Sequence, residues 1–217
     1  MEAFMVRFHP QWIKARELVR NGSLGELRTV QAFFSYFNTQ QDNIRNRLEA
    51  GGGALYDIGC YPIVAGRFMF EAEPVRVVAL MDRDPNFKTD RTASALLDFG
   101  EGRRLEFTVS TQSTPYQRVH LVGTRQRLEI EVPFNAPANG TTRLLTDDGA
   151  LPAGGNAVEH LLPACDQYSL EGDAFSQAIR GDIPLPYGVE DAIQNMHIID
   201  ALFRSEQSGK WEMLRQA

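Results

Sequence analysis

The chain has 217 residues, a formal net charge of -6 and a pI near 5.3, and 43% of its residues are hydrophobic. This composition is typical of a globular chain with a buried core, while the acidic balance and the scattered basic residues argue against a nucleic-acid partner. No apolar run reaches the ~20 residues that a membrane helix needs and no leader pattern opens the chain, so we expect no membrane association and a cytoplasmic location.

The first elements follow from hydrophobic periodicity. Residues 3–8 predict a short buried strand, and residues 11–21 predict a helix that ends at Gly22. Residues 27–38 are rich in Val, Phe, Tyr and Thr, which predicts a long central strand. Residues 39–49 are polar and lead as a loop into a run of glycines.

The glycines at 51–53 precede the stretch that carries the most chemistry. Residues 55–70 predict an apolar helix on which Asp57 and Tyr61, four positions apart, share one face. A glycine run before a helix fits either a tight turn or the close approach of a ligand, and both interpretations stay open. Pro62 has no amide hydrogen, so we expect the helix to loosen beside Tyr61.

The second half predicts a meander of strands followed by two helices. Strand-like runs separated by turn signals occupy residues 75–82, 93–99, 104–111, 117–122, 127–132 and 142–145. Helices are predicted at 165–180, with Tyr168, Phe175 and Ile179 on the apolar face, and at 189–208. The expected fold is α+β, a largely antiparallel open sheet of about six strands with helices on one face. The other face would be open to a homodimer.

Several chemistries are excluded by spacing. Cys60 and Cys165 form no C-x-x-C pair, and the four histidines are too dispersed for a helical metal pair, so we expect no metal site. A short-chain dehydrogenase would place a lysine four residues after its tyrosine, but Ala65 stands there after Tyr61. The G-x-S-x-G elbow of a serine hydrolase is missing as well.

The string Gly-Gly-Gly-Ala-Leu-Tyr-Asp-Ile-Gly-Cys-Tyr at residues 51–61 resembles a known motif. The motif is G-G-G-x-L-x-D-x-G-x-H, from the C-terminal domain of the glucose-fructose oxidoreductase, inositol dehydrogenase and rhizopine-catabolism (Gfo/Idh/MocA) family. Asp57 and Gly59 fall on the motif, while Tyr61 stands where most members carry His. The tyrosine form resembles the branch of glucose-fructose oxidoreductase, dimeric dihydrodiol dehydrogenases and NADP-dependent D-xylose dehydrogenases.

The resemblance implies a fold, a reaction and a set of residues. The fold would be the glyceraldehyde-3-phosphate dehydrogenase-like C-terminal domain, and the reaction hydride transfer between NADP or NAD and a sugar-like or diol substrate. Tyr61 would donate or accept the proton, with Asp57 orienting the substrate hydroxyl or the phenol. Substrate binding is implied for Arg47, Arg7 and His9, although solvated surface explains Arg47 equally simply.

A dinucleotide-binding unit needs G-x-G-x-x-G at a strand-to-helix turn and an acidic residue about 20 positions later. No stretch of the sequence has that spacing. We therefore expect residues 1–217 to be the substrate-binding and dimerisation domain of a longer oxidoreductase, with residues 1–9 left from the junction. The cofactor would be bound by a domain missing from this chain, which alone would bind none.

The alternative function is a non-catalytic sugar-binding or dimerisation module that has kept the fold. The pair Asp57 and Tyr61 favours the enzyme, because an interaction module has no need of it. The identity of the substrate, the direction of the reaction and the choice between NADP and NAD stay open.

Overall fold

The computed structural model describes residues 1–214, apart from the side chain of residue 153. Within this part the chain forms four α-helices and a nine-stranded sheet. The helices are α1 (Pro10–Arg20), α2 (Cys60–Phe70), α3 (Gln167–Arg180) and α4 (Val189–Ser208). The strands are β1 (Leu27–Phe37), β2 (Arg76–Arg83), β3 (Asp90–Asp98), β4 (Arg104–Ser110), β5 (Gln112–Gly123), β6 (Arg127–Ile130), β7 (Thr142–Asp147), β8 (Val158–Leu162) and β9 (Glu212–Met213).

The sheet is organised around β1, which pairs in parallel with β4 and antiparallel with β5. The other described neighbours are antiparallel, in the order β8-β7-β6-β5-β1-β4-β3-β2-β9. The largely antiparallel open sheet is thus confirmed, but the sheet has nine strands rather than about six. The strands missed by the sequence, β8 and β9, lie at the two edges, where pairing with an already formed neighbour decides the conformation.

The hydrophobic core lies between the sheet and the helices. Alternate residues of β1, among them Val30, Ala32 and Phe34, are buried on the helix side. Helix α2 packs across β1 and β4, and α4 packs along β2. The opposite face is open, and Leu80 on β2 is 76% exposed there. Among residues 1–214, no helix combines the length and the apolar content that crossing a membrane requires.

The first segment does not form the strand predicted for residues 3–8. Met5–Phe8 is a 3-10 turn, closed at its start by the Arg7 amide donating to the Phe4 carbonyl at 3.2 Å. The turn is buried, which explains why its sequence is apolar. A short apolar run does not distinguish a buried turn from a strand, because both hide their side chains from water.

Helix α3 forms where the sequence predicts it, but it is turned the other way. The residues predicted to face the core are outside, with Tyr168 61% and Ile179 71% exposed, while Gln167 and Glu171 are buried. The side-chain amide of Gln167 donates a hydrogen bond to the backbone carbonyl of Phe134 at 3.0 Å. Helix α3 packs against the Met5–Phe8 turn, so contacts with a distant part of the chain, rather than its apolar periodicity, decide which side faces inward.

The glycine run brings the backbone against other parts of the same chain. Gly53 has φ +125°, and a Cβ there would lie 2.0 Å from Oδ1 of Asp90, while a Cβ on Gly52 would lie 2.5 Å from the Arg45 carbonyl oxygen. Oδ2 of Asp90 accepts a hydrogen bond from the Leu55 amide at 2.7 Å. Burial raises the pKa of the Asp90 carboxyl to about 6, against the opposing effect of this hydrogen bond. The tight-turn interpretation therefore holds for this run.

The helix after the glycines begins with one wide turn. Leu55–Gly59 is π-helical, and the regular helix α2 follows from Cys60. Because Pro62 has no amide hydrogen to offer to the preceding turn, the loosening expected beside Tyr61 takes the form of this wide turn.

We predict that Gly53→Ala destabilises the fold by about 2 to 4 kcal/mol, because the new methyl group meets the Asp90 carboxylate and the backbone must keep a positive φ. The matched control is Gly172→Ala in α3, where a Cβ meets no atom within 4 Å and should stabilise the helix by up to about 1 kcal/mol. Urea unfolding of both variants measures the difference. Equal stability of the two variants would contradict the prediction.

Candidate active site

The phenol of Tyr61 lies in an aromatic enclosure at the start of α2. Its ring meets Phe4 at 5.3 Å and Phe34 at 5.9 Å between centroids, both edge to face, and Phe134 at 5.6 Å. Its hydroxyl has a single described neighbour within bonding reach, the Met5 thioether sulfur at 4.0 Å. A thioether is a weak acceptor, so the hydroxyl has no strong partner among residues 1–214.

Burial raises the pKa of Tyr61 well above its ordinary value. The nearby ionisable groups of Cys60, Tyr168, Asp57 and Glu171 act in the same direction. The phenol therefore stays protonated near neutral pH.

Asp57 is occupied by two other partners. Its Oδ2 accepts a hydrogen bond from the Tyr36 hydroxyl at 2.5 Å, and its Oδ1 accepts one from Nε of Arg45 at 2.8 Å. The structure shows no hydrogen bond between Asp57 and Tyr61. The two motif residues thus lie in one region, where Asp57 acts on the phenol through its charge, which raises the pKa of Tyr61.

Tyr36 is a site residue that sequence reasoning missed. It stands two positions after Phe34 on β1, so both side chains lie on the same face of the strand. Burial and the hydrogen bond to Asp57 raise the pKa of Tyr36, which keeps the phenol protonated as a donor. The period of two along β1 is the signal that could have placed Tyr36 beside the motif, once the strand was known to adjoin α2.

The three residues proposed for substrate binding occupy different surroundings. Arg47 is exposed and its Nε donates to Glu49 at 2.8 Å, so the neighbouring Arg45 is the arginine that reaches Asp57. Arg7 is buried.

The Arg7 guanidinium binds the Asp191 carboxylate at 2.6 Å and lies 4.2 Å from the centre of the Tyr187 ring. Arg67, also buried, holds the same carboxylate at 3.0 Å and the Glu73 carboxylate at 2.7 Å. This ion-pair network ties the Met5–Phe8 turn to α2 and α4.

His9 is buried and caps helix α1. Its Nδ1 accepts a hydrogen bond from the Gln11 amide at 3.1 Å. Burial lowers the pKa of His9, so the imidazole is neutral near pH 7. Its Nε2 is buried and has no hydrogen-bond partner among the described residues.

Other ligand-type features lie away from Tyr61. A groove of about 590 Å³ runs along the open face of the sheet, and a cleft of about 970 Å³ lies beside α4 and β9. Neither cavity is lined by Tyr61 or Asp57. Within residues 1–214, no three His, Cys, Asp or Glu side chains gather in a way that could hold a metal ion. Tyr61 and the network around Asp57 thus lie outside both of these cavities.

Comparison with known proteins places this site in a family context. The sequence model of the GFO/IDH/MocA C-terminal domain matches residues 12–129, a span that includes the glycines, Asp57 and Tyr61.

Three relatives illustrate the similarity. The uncharacterized oxidoreductase ORF334 of Rhizobium meliloti is 41% identical over 97% of this chain and 63% of its own length. The D-xylose 1-dehydrogenase (NADP(+)) 2 of Haloferax volcanii is 32% identical over 96% of this chain and 62% of its own length. The crystal structure of KijD10, a 3-ketoreductase from Actinomadura kijaniata in complex with NADP and TDP-benzene, superposes with a TM-score of 0.85 at 28% identity. The superposition covers 94% of this chain and 62% of the KijD10 chain. The chain thus spans slightly less than two thirds of the length of these relatives.

Proposed function

The chain belongs to the GFO/IDH/MocA family, and we propose that it forms the substrate-side domain of an NAD(P)-dependent oxidoreductase. The reaction would exchange a hydride between the nicotinamide and a carbon of a sugar-like or diol substrate. The H. volcanii relative is an NADP-dependent D-xylose dehydrogenase and KijD10 is a 3-ketoreductase with NADP bound, which supports this class of reaction and of substrate.

The observation that carries the proposal is that the Tyr61 hydroxyl has no strong hydrogen-bond acceptor among residues 1–214. The Tyr61 side chain is only partly buried, and a phenol in such a place can donate its hydrogen to a bound molecule. Here the hydroxyl sits at the variable position of the family motif, and its described neighbour is a thioether sulfur 4.0 Å away. A substrate oxygen is the partner that such a phenol lacks.

The protonated state of the Tyr61 phenol fits carbonyl reduction. As the carbonyl carbon is reduced, its oxygen gains negative charge, and the phenol donates a proton to give the alcohol. In the oxidative direction the phenolate would take the proton from the alcohol. That direction requires a positive charge near the ring, because burial and Asp57 both raise the pKa of Tyr61.

Asp57 and its two partners form the polar side of the proposed site. Arg45 is half exposed and Tyr36 is partly exposed, so both donors face the region from which a substrate would approach. The Asp57 carboxylate fixes their positions, and its remaining lone pairs suit a substrate hydroxyl. Arg47, exposed on the same loop, would contact the more distant part of the substrate.

Arg7 and His9 would act indirectly. Both are buried in contacts with the rest of the fold. Arg7 lies in the turn that carries Met5 next to the Tyr61 hydroxyl, and His9 follows directly after this turn. Their contribution would be to hold Phe4 and Met5 against the phenol.

The proposed division of labour leaves the dinucleotide to a different domain. No two consecutive strands within residues 1–214 pair in parallel, so the βαβ unit that places a pyrophosphate at a helix N-terminus is not formed there. The glycines at 51–53 pack against Asp90 and the Arg45 carbonyl rather than opening a cradle. The residues of this chain would therefore supply the proton transfer to the substrate oxygen.

We also propose a homodimer through the open face of the sheet. The groove on this face is lined by side chains such as Phe33, Leu80 and Tyr116, and Leu80 and Tyr116 are largely exposed. Apolar side chains on a sheet face that no helix covers are typical of a subunit interface.

The first prediction concerns the cofactor. Titration calorimetry of NADP and NAD into the purified 217-residue chain should show no binding, because the described fold offers no pyrophosphate site. Binding with a micromolar dissociation constant would contradict this.

The second prediction concerns assembly. Leu80→Arg should convert the dimer to a monomer, because it places a charge in the centre of the apolar groove. Ile179→Arg is the matched control, since Ile179 is equally exposed but lies on α3. Sedimentation velocity at micromolar concentration decides, and a monomeric wild-type chain would refute the proposed interface.

The third prediction concerns Tyr61, tested in the full-length oxidoreductase. Tyr61→Phe keeps the ring packing and removes the proton donor, so kcat should fall by roughly 10²- to 10⁴-fold. Stability should change by less than about 1 kcal/mol, because the hydroxyl has no strong partner to lose. Asp57→Asn should reduce kcat less. Near-native turnover of Tyr61→Phe would exclude the proposed role.

A further inference from the structure

The segment after β6 is held by side chains rather than by secondary structure. Residues 132–135 lie outside the ladder of the sheet, yet their backbone groups are bonded from three different elements. Gln11 donates to the carbonyl oxygens of Val132 and Pro133 at 2.9 and 3.3 Å, and Trp12 donates to that of Pro133 at 2.7 Å. These two donors come from α1.

The centre of the same segment is bonded from the other side. The Gln117 side-chain oxygen on β5 accepts hydrogen bonds from the amides of Phe134 and Asn135 at 2.9 and 3.1 Å. Gln167 on α3 donates to the Phe134 carbonyl at 3.0 Å. We refer to these four side chains, Gln11, Trp12, Gln117 and Gln167, as the clamp.

Most of the clamp is buried. Gln11, Trp12 and Gln167 are almost completely buried, and the amide oxygens of both Gln11 and Gln167 have no hydrogen-bond partner among the described residues. Hydrogen bonds from α1, β5 and α3 to one short segment restrict the conformations that this segment can adopt.

The conformation that they specify puts the Phe134 ring against the phenol. Phe134 is fully buried, stacks on Trp12 with centroids 6.2 Å apart, and contacts Phe34 at 4.9 Å and Tyr61 at 5.6 Å. The Tyr61 hydroxyl has no strong hydrogen bond that would orient it. The direction in which the phenol points is therefore set by ring packing.

We propose that Phe134 is a positioning residue for Tyr61, and that the clamp exists to hold it in place. This inference rests on the proposed function of Tyr61 as the proton donor. Proton transfer requires a donor–acceptor distance of about 2.6 to 3.2 Å, and misplacement of a reacting group by about 1 Å costs on the order of 10²-fold in rate. Phe134 supplies the rigidity that the unbonded hydroxyl lacks.

A residue that only fills the core would give a different result. Its loss would lower the stability of the enzyme without changing the turnover of the molecules that stay folded. A positioning residue changes kcat and leaves KM nearly unaltered, because it touches the proton donor rather than the substrate.

The experiment compares four variants of the full-length oxidoreductase below their unfolding temperatures. Phe134→Leu removes the ring but keeps an apolar side chain, and Phe99→Leu is its matched control. Phe99 is also buried, but its aromatic partner is Phe70 at the far end of α2. Gln167→Met removes one clamp hydrogen bond at nearly constant volume, and it decides the question if Phe134→Leu fails to fold. Tyr61→Phe provides the reference for complete loss.

Phe134→Leu should lower kcat roughly 10- to 100-fold with KM within about threefold of the wild-type value. Gln167→Met should lower kcat by a smaller factor of about 3 to 10, and Phe99→Leu should leave it unchanged.

The outcomes separate the two proposals. If Tyr61→Phe loses turnover while Phe134→Leu and Gln167→Met keep the kcat of the Phe99→Leu control, the positioning role is overturned and the function of Tyr61 stands. If Tyr61→Phe keeps its turnover, the proposed function fails, and this inference fails with it.

Discussion

The contact between Gly53 and the buried Asp90 carboxylate is the constraint on which the site depends. The glycine allows the chain to pass where any side chain would collide, and the carboxylate receives the Leu55 amide at the start of the helix. This contact fixes where the wide first turn begins, and with it the directions of Asp57 and Tyr61. The carboxyl group is held at a cost, since burial raises the pKa of Asp90 to about 6. The space beside these glycines, which the sequence suggests for a ligand, is thus filled by other parts of the same chain.

Two phenols stand close together in contrasting environments. Tyr36 donates a short hydrogen bond to Asp57, while Tyr61 is surrounded by rings and a thioether. Burial raises the pKa of both groups, yet only Tyr36 has a fixed acceptor. The Asp57 carboxylate therefore accepts a hydrogen bond from Tyr36, whereas it acts on Tyr61 only through its negative charge. This division leaves Tyr61 available for a group that approaches from outside the described residues.

The turn that carries Met5 is held by buried charge as well as by packing. Arg7 and Arg67 share the Asp191 carboxylate, so the start of the chain is joined to α2 and α4. Removing one member of a buried ion pair costs about 3–5 kcal/mol, because the remaining charge is left without compensation. Arg7, a candidate substrate ligand from the sequence, thus has a firm structural task next to the phenol.

The sequence by itself determined the elements that follow from local patterns and the family resemblance that follows from the eleven residues 51–61. Periodicity and end signals placed α1, α4 and β1, and the motif pointed to the family and to Tyr61, because these are patterns of neighbours along the chain. Tertiary structure decided the rest. The edge strands exist only beside a formed sheet, α3 turns inward the side on which Gln167 meets the Phe134 carbonyl, and Tyr36 reaches Asp57 from a distant strand. These features depend on contacts between residues far apart in the chain, and no local pattern records them.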